Sequence, residues 1–251
     1  MLTLSALVWM ALPFLAVRPL WAAESAPVRI LVPNMLEAAF TELQPLLRSR
    51  IAAPLDIEYV QMTRLVERLN NGEVADVAIM TRSSVPPLAA KGLIKSQIDI
   101  VQSELGLAVA DGAPAPVLRT TDDFIAFLKA TPSIALFGTG ASGVVVMQFA
   151  ERNGLADMLK RKATMISEGM TGTLVREGKV ASAVQQVGEL KFSGANNIVP
   201  LPEALQTRPV SAVVVFSSSR HPAAAARIAQ LLTSPEAAAA YRRAGLITLI
   251  K

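Results

Sequence analysis

Ser133-Ile134-Ala135-Leu136-Phe137-Gly138-Thr139-Gly140-Ala141-Ser142-Gly143-Val144 puts a short apolar run, a glycine-rich turn and the start of a helical run (144–154) in immediate succession. A strand that empties through small residues straight into a helix is the building unit of α/β folds. The first turn of that helix has backbone N–H groups with no intrahelical partner, and the helix dipole is positive there. Together they form an anion site that needs no charged side chain. Ser142 and Gly143 are therefore candidate donors to a ligand, and a plain helix N-cap at Ser142 is the alternative.

The same alternation extends outward in both directions. Short apolar runs at 28–32, 55–60, 74–80, 105–110, 134–137, 181–185 and 210–216 read as strands. Between them lie helical patterns at 36–49, 64–70, 84–91, 124–130, 144–154, 174–177, 222–232 and 235–243, the last two each opened by a proline. Asp76 sits inside an apolar strand, where a carboxylate must be hydrogen-bonded, so it reads as structural. Thr121-Asp122-Asp123 reads as a helix start with acids in its first turn. The Pro-rich stretch at 112–116 marks a boundary region.

Composition narrows the chemistry. The chain has 251 residues, no Cys and one His, and 52% of its residues are apolar. His221 has no second His, Cys or acidic neighbour in sequence with which to build a metal site or a triad, so no metal and no cofactor are expected. Residues 2–17 are almost wholly apolar and are followed by small residues, which reads as a secretory signal over 1–23. The mature chain is then exported to the periplasm and inserts in no membrane. Basic residues are scattered and without an aromatic platform, so nucleic acid is not an expected partner.

Five stretches in order resemble the periplasmic solute-binding proteins of the molybdate-binding type. They are Asn34-Met35-Leu36-Glu37-Ala38-Ala39, 71–79, Gly140-Ala141-Ser142-Gly143, Val184-Gln185-Gln186-Val187-Gly188-Glu189-Leu190 and 231–238. The resemblance implies an α/β, two-lobed type II periplasmic-binding fold, with two crossover strands, 105–110 and 210–216, as hinge. Lobe 1 would be 24–105 and 214–251, and lobe 2 would be 106–213. A ligand would sit between them, with an ABC permease as candidate partner and a monomer as the expected state.

Carried over from the resemblance, the ligand positions fall on Asn34 with Met35 beside it, on Met62 and Thr63, on the amide of Ser142, near Thr171, and on Gln186. Asn34 stands where the family has Ser, Met62 enters a hydroxyl-rich segment, and Gln186 stands where molybdate binders have Tyr. Amides, thioethers and the fork of Arg64 suit a small organic carboxylate better than molybdate. Arg64 lies off the Leu65, Val66, Leu69 stripe, so a solvated surface residue is its other reading. Met35, Met62 and Met170 either floor the cleft or fill core gaps. The favoured expectation is an anion receptor for an ABC importer. The alternative is an exported isomerase of a small unsaturated carboxylic acid, of the aconitate isomerase kind, with Glu168 as the carboxylate considered near the cleft.

Overall fold

The computed structural model describes residues 26–138 and 140–250; the expected leader at 1–23 and Thr139 lie outside them. The chain begins with β1 (Val28–Pro33), α1 (Glu37–Arg50), β2 (Leu55–Val60), α2 (Met62–Asn70), β3 (Val77–Thr81), α3 (Pro86–Ala90) and β4 (Ile94–Gln102). It continues as β5 (Leu105–Val109), α4 (Thr121–Ala130), β6 (Ile134–Phe137), α5 (Ala141–Arg152), α6 (Ala156–Lys162), β7 (Ala163–Ile166), α7 (Thr171–Arg176), β8 (Ser182–Gln186), α8 (Val187–Phe192) and β9 (Ile198–Pro200). It closes with β10 (Val210–Phe216), α9 (Pro222–Leu231), α10 (Pro235–Arg243) and β11 (Ile247–Thr248).

These elements form two mixed sheets, ordered β11-β4-β10-β3-β1-β2 and β7-β6-β8-β5-β9. In the first sheet, β1 is parallel to both β2 and β3, and β10 runs antiparallel to β3 and β4. In the second, β6 is parallel to β7 and β8, and β5 runs antiparallel to β8 and β9. Each sheet is buried on both faces, so its central strands read as unbroken apolar runs. Ile30, Val32, Ile79 and Val213 face one core of the first lobe, and the alternating Leu31, Ala78, Met80 and Val214 face the other. Leu107, Leu136 and Val184 centre the second lobe on one face of its sheet, with Ala108, Ala135 and Ala183 on the other.

The strands expected as crossovers each belong to one sheet: β5 pairs within the second and β10 within the first. The chain passes between lobes just outside them, at Ser103 and Glu104 and again ahead of β10. Arg208 on the return pass has φ 31, and its guanidinium is ion-paired to Glu104 on the outward pass. The two passes are thereby tied to each other.

Several elements escape the sequence pattern, the strands because distant segments pair with them and the helices because they are short. Strand β4 carries Lys95, Ser96 and Gln97 exposed and has no apolar run; it exists because β10 and β11 pair with its two edges. Strands β7, β9 and β11 are likewise short and held by their neighbours. Helices α6 and α8 are each under two turns, too short for periodicity to register. Strand β3 starts at Val77 rather than at residue 74. Asp76, just before it, accepts hydrogen bonds from the Arg29 amide at 2.8 Å and the Ser219 hydroxyl at 2.6 Å. Burial pushes the Asp76 carboxyl up, but these donors and the His221 amide outweigh it and leave it below the ordinary range.

Candidate functional site

Parallel strands point their C-terminal ends at the gap between the sheets, where ligands of open α/β folds bind. Asn34 follows β1, Gln61 follows β2, and Ser83 and Ser84 follow β3. From the other lobe, Gly140 follows β6, Ser167 follows β7, and Gln186 ends β8. The gap holds two chambers that share Gln61.

The inner chamber, of about 480 Å³, brings together Met62, Thr63, Ser142 and Gln186 from the expected set. Thr81, Ser83, Ser84, Gln185 and Glu189 also line it. Three α-helices start here, α2, α5 and α8, and none has a side-chain cap on its first turn. Ser142 is 4% exposed, and its N–H and that of Ala141 find no acceptor among the described residues. Gly143 has a steric role as well: a Cβ there would lie 2.0 Å from the Phe137 carbonyl oxygen. Only glycine lets α5 start directly over the end of β6. Met62 turns its sulfur to the Thr81 amide at 3.4 Å. Gln186 lines this chamber, and its Oε1 is buried without a hydrogen-bond partner among the described residues.

Among the described residues, Glu189 is the one ionisable side chain lining the inner chamber, and it was not among the expected positions. Burial pushes its carboxyl up to about 7, against the opposing pull of the Gln186 amide and the Gln185 side chain. Its sequence signal was slight. It stands three residues after Gln186, the spacing of an acid that reaches back to a helix start.

The outer chamber, of about 550 Å³, is lined by Asn34, Arg64 and Glu168 among others. Arg68 beside Arg64 is consumed by Glu58 and Glu73, with contacts of 2.5 to 2.9 Å. Arg29 joins the same cluster from β1, and the Glu73 carboxyl is held down to about 2, chiefly by Arg68. Arg64 is exposed and pairs with no described residue.

Two expected contacts are corrected. Thr171 is fully buried and its N–H already donates to Gln185 Oε1 at 2.7 Å, so that amide is not free for a ligand. Met35 is 4% exposed and packs in the first lobe's core; its carbonyl abuts Gly188 of α8, where a Cβ would meet it at 2.8 Å. Met170 precedes α7, half-buried, and lines neither chamber. His221 lines a separate hollow with Asp76 and Arg220. Among the described residues, no three His, Cys, Asp or Glu side chains converge on a point, and no helix is long and apolar enough to cross a membrane.

Residues 28–247 match the family described as bacterial extracellular solute-binding protein. An aconitate isomerase from a Pseudomonas species is 30% identical over 254 residues, spanning 98% of this chain and 95% of its own. Of solved structures, the Azotobacter vinelandii periplasmic molybdate-binding protein is similar with TM-score 0.70 and 16% identity, over 88% of this chain and 98% of its own. A sulfate-binding protein of Mycobacterium tuberculosis is similar with TM-score 0.64 and 12% identity, over 89% and 87%. At such identities these two structures speak to the type II periplasmic-binding fold alone.

Proposed function

The chain belongs to the bacterial extracellular solute-binding protein family, and from that premise we propose that it isomerises a small unsaturated polycarboxylic acid, with Glu189 moving the proton. The observation that carries this reading is the placement of a lone carboxyl, with its proton affinity raised by burial, in a chamber otherwise lined by neutral groups and uncapped helix starts. Once ionised, a carboxylate in the pocket weakens the binding of an anion by like charge, a cost that a receptor does not need to bear. A general base gains most when its pKa lies near working pH. The relative of the aconitate isomerase name supports the same substrate class.

The chemistry balances without an oxidant or cofactor. Aconitate is a propene bearing a carboxylate on each carbon. The Glu189 carboxylate takes a proton from the methylene carbon, whose C–H bond is both allylic and next to a carboxylate. The electron pair spreads over the allyl unit and onto carboxylate oxygens, where the N–H groups of Ala141 and Ser142 and the start of α2 stabilise it. The same carboxyl then returns the proton to the other terminal carbon. The double bond has moved, the connectivity is unchanged, and the bound conformation sets the new cis or trans geometry. Arg64 and Asn34, in the adjoining chamber, are the candidates for a remote carboxylate, with the Arg fork matched to its two oxygens.

Capture for an ABC importer is the second reading, supported by the family and by the uncapped helix starts at the cleft. Molybdate ranks below organic acids in both readings, because Asn34 and Gln186 replace hydroxyl groups. The test is turnover. Purified protein, at a small fraction of the substrate concentration, is incubated with cis-aconitate and separately with trans-aconitate, and each isomer is followed by proton NMR. Both samples are expected to reach one isomer ratio. Binding by calorimetry with each acid left unchanged overturns the isomerase and leaves the receptor.

A further inference from the structure

Helix α8 is six residues long, too short to hold a position by itself, and three successive residues meet three different surroundings. Leu190 is buried in the smaller core of the second lobe. Glu189 lines the inner chamber. Gly188 lies against the first lobe: a Cβ there would stand 2.8 Å from the Met35 carbonyl oxygen and 3.4 Å from that of Ala244. The start of the helix is fixed as well, because the Val187 N–H donates at 2.9 Å to the Glu104 carbonyl on the outward pass between the lobes. From the first lobe, Gly245 comes equally close: a Cβ there would meet Val187 Cγ1 and Lys191 Cδ of α8, each at 2.9 Å. The helix follows a strand of the second sheet and rests on backbone of the first lobe. Met35 and Ala244 belong to that lobe's packed core, so their carbonyls have little room to yield.

We infer that Gly188 is a positioning residue for Glu189: its missing side chain lets α8 rest on the Met35 and Ala244 carbonyls, and that seat holds the Glu189 side chain in the inner chamber. The inference rests on Glu189 as the proton carrier proposed above. Adjacent residues of a helix point about 100° apart, so the face that Gly188 lays on the first lobe fixes the direction of the next residue. The turn that receives α8, Asn34–Leu36, also carries Asn34 to the outer chamber. One piece of backbone thereby sets the proton carrier in register with the residues proposed for the remote carboxylate. A methyl group at residue 188 would push α8 off this seat, since the atoms it meets are backbone and not the end of a flexible side chain. The charged side chains on the elements packed against α8 are Glu37, Glu42, Arg48 and Arg50 of α1 and Arg176 of α7, with Lys191 on α8 itself. None of them shifts Glu189; burial has the largest effect on it.

Gly188→Ala tests this on the full chain. Alanine is the better helix former, so a loss in this variant comes from the contact and not from helix propensity. The Glu189 carboxyl is titrated by carbon-13 NMR without ligand, with Glu189→Gln assigning its signal. Pushed off its seat, the carboxyl loses burial, and its midpoint is expected to fall by about one pH unit or more toward the ordinary glutamate range. In turnover, kcat should fall by on the order of 10²-fold, the cost of a misplaced group, with KM little changed because the starts of α2 and α5 stay in place. Gly245→Ala presses on α8 through Val187 and Lys191 and should move both readouts the same way, by less. Leu128→Ala, in the core on the other face of the second sheet, should destabilise the fold and leave the midpoint at the parent value. A parent midpoint in folded Gly188→Ala, or in Gly245→Ala should the first variant not fold, overturns the inference. An equal fall in Leu128→Ala, or parent kcat in Gly188→Ala, overturns it too. The titration needs no turnover. A midpoint lowered by the glycine variants alone, in a protein whose parent does not isomerise, therefore upholds the seat and overturns the function instead.

Discussion

Glu189→Gln is expected to lower kcat by a factor on the order of 10²–10⁴, the usual contribution of a positioned base, while substrate still binds. Binding should hold or tighten, because the variant removes a negative charge from a chamber that receives an anion. In the parent, kcat/KM should rise with pH through about 7, as the carboxyl becomes the base. The same shift makes a stability statement of opposite sign. A carboxyl raised in the folded state contributes stability below its unfolded pKa, which is lost as pH rises through the folded value. Above about pH 7 the parent buries an unfavourable charge, so Glu189→Gln should be more stable there, by up to about 3 kcal/mol, and should unfold at a higher temperature. A slower but more stable variant separates lost chemistry from lost fold. A variant with parent turnover rules out Glu189 as the proton carrier.

The second large effect is expected at the start of α5. Ser142→Pro deletes one N–H that faces the chamber, at a helix position where proline is tolerated. A hydrogen bond to a charged group contributes about 1.5–3 kcal/mol, so affinity for a carboxylate should fall roughly 10- to 150-fold. Ser142→Ala keeps the N–H and loses the hydroxyl alone, and should cost less. Calorimetry on both folded variants separates backbone capture from side-chain capture. Equal, undiminished affinity in both would move the anion away from this helix.

The parts of this molecule that were legible in the sequence are the parts that local physics dictates. The run from Ile134 to Val144 is strand, turn and helix because Gly143 must lie against the Phe137 carbonyl, and no other residue fits that contact. Thr63, Ser142 and Gln186 line the inner chamber because they begin helices or end strands at the open side of their sheets. What stayed hidden depends on partners distant in sequence. Thr171 looks like another free amide until Gln185 is folded against it, and β4 looks like loop until β10 and β11 flank it. Glu189 carries the same lesson for function. Followed by Leu190 and Lys191, it carries no local pattern that marks it as a site residue. Its proton affinity comes from burial in a chamber closed by α2 and α5 from elsewhere in the chain. A receptor and an isomerase on this fold can differ by one such carboxyl, so the fold alone does not decide between them.

The central claim is that a C–H bond of the bound acid breaks and re-forms across an allyl unit. It is tested most directly with cis-aconitate carrying two deuterium atoms on its methylene carbon, converted by the protein and read by proton and deuterium NMR. The account predicts trans-aconitate whose former methylene carbon is now vinylic and holds a single deuterium, with the new methylene on the opposite carbon. A trans product that keeps both deuterium atoms on an intact methylene would mean rotation without proton transfer, and together with an unconverted substrate it is the result that would contradict the account.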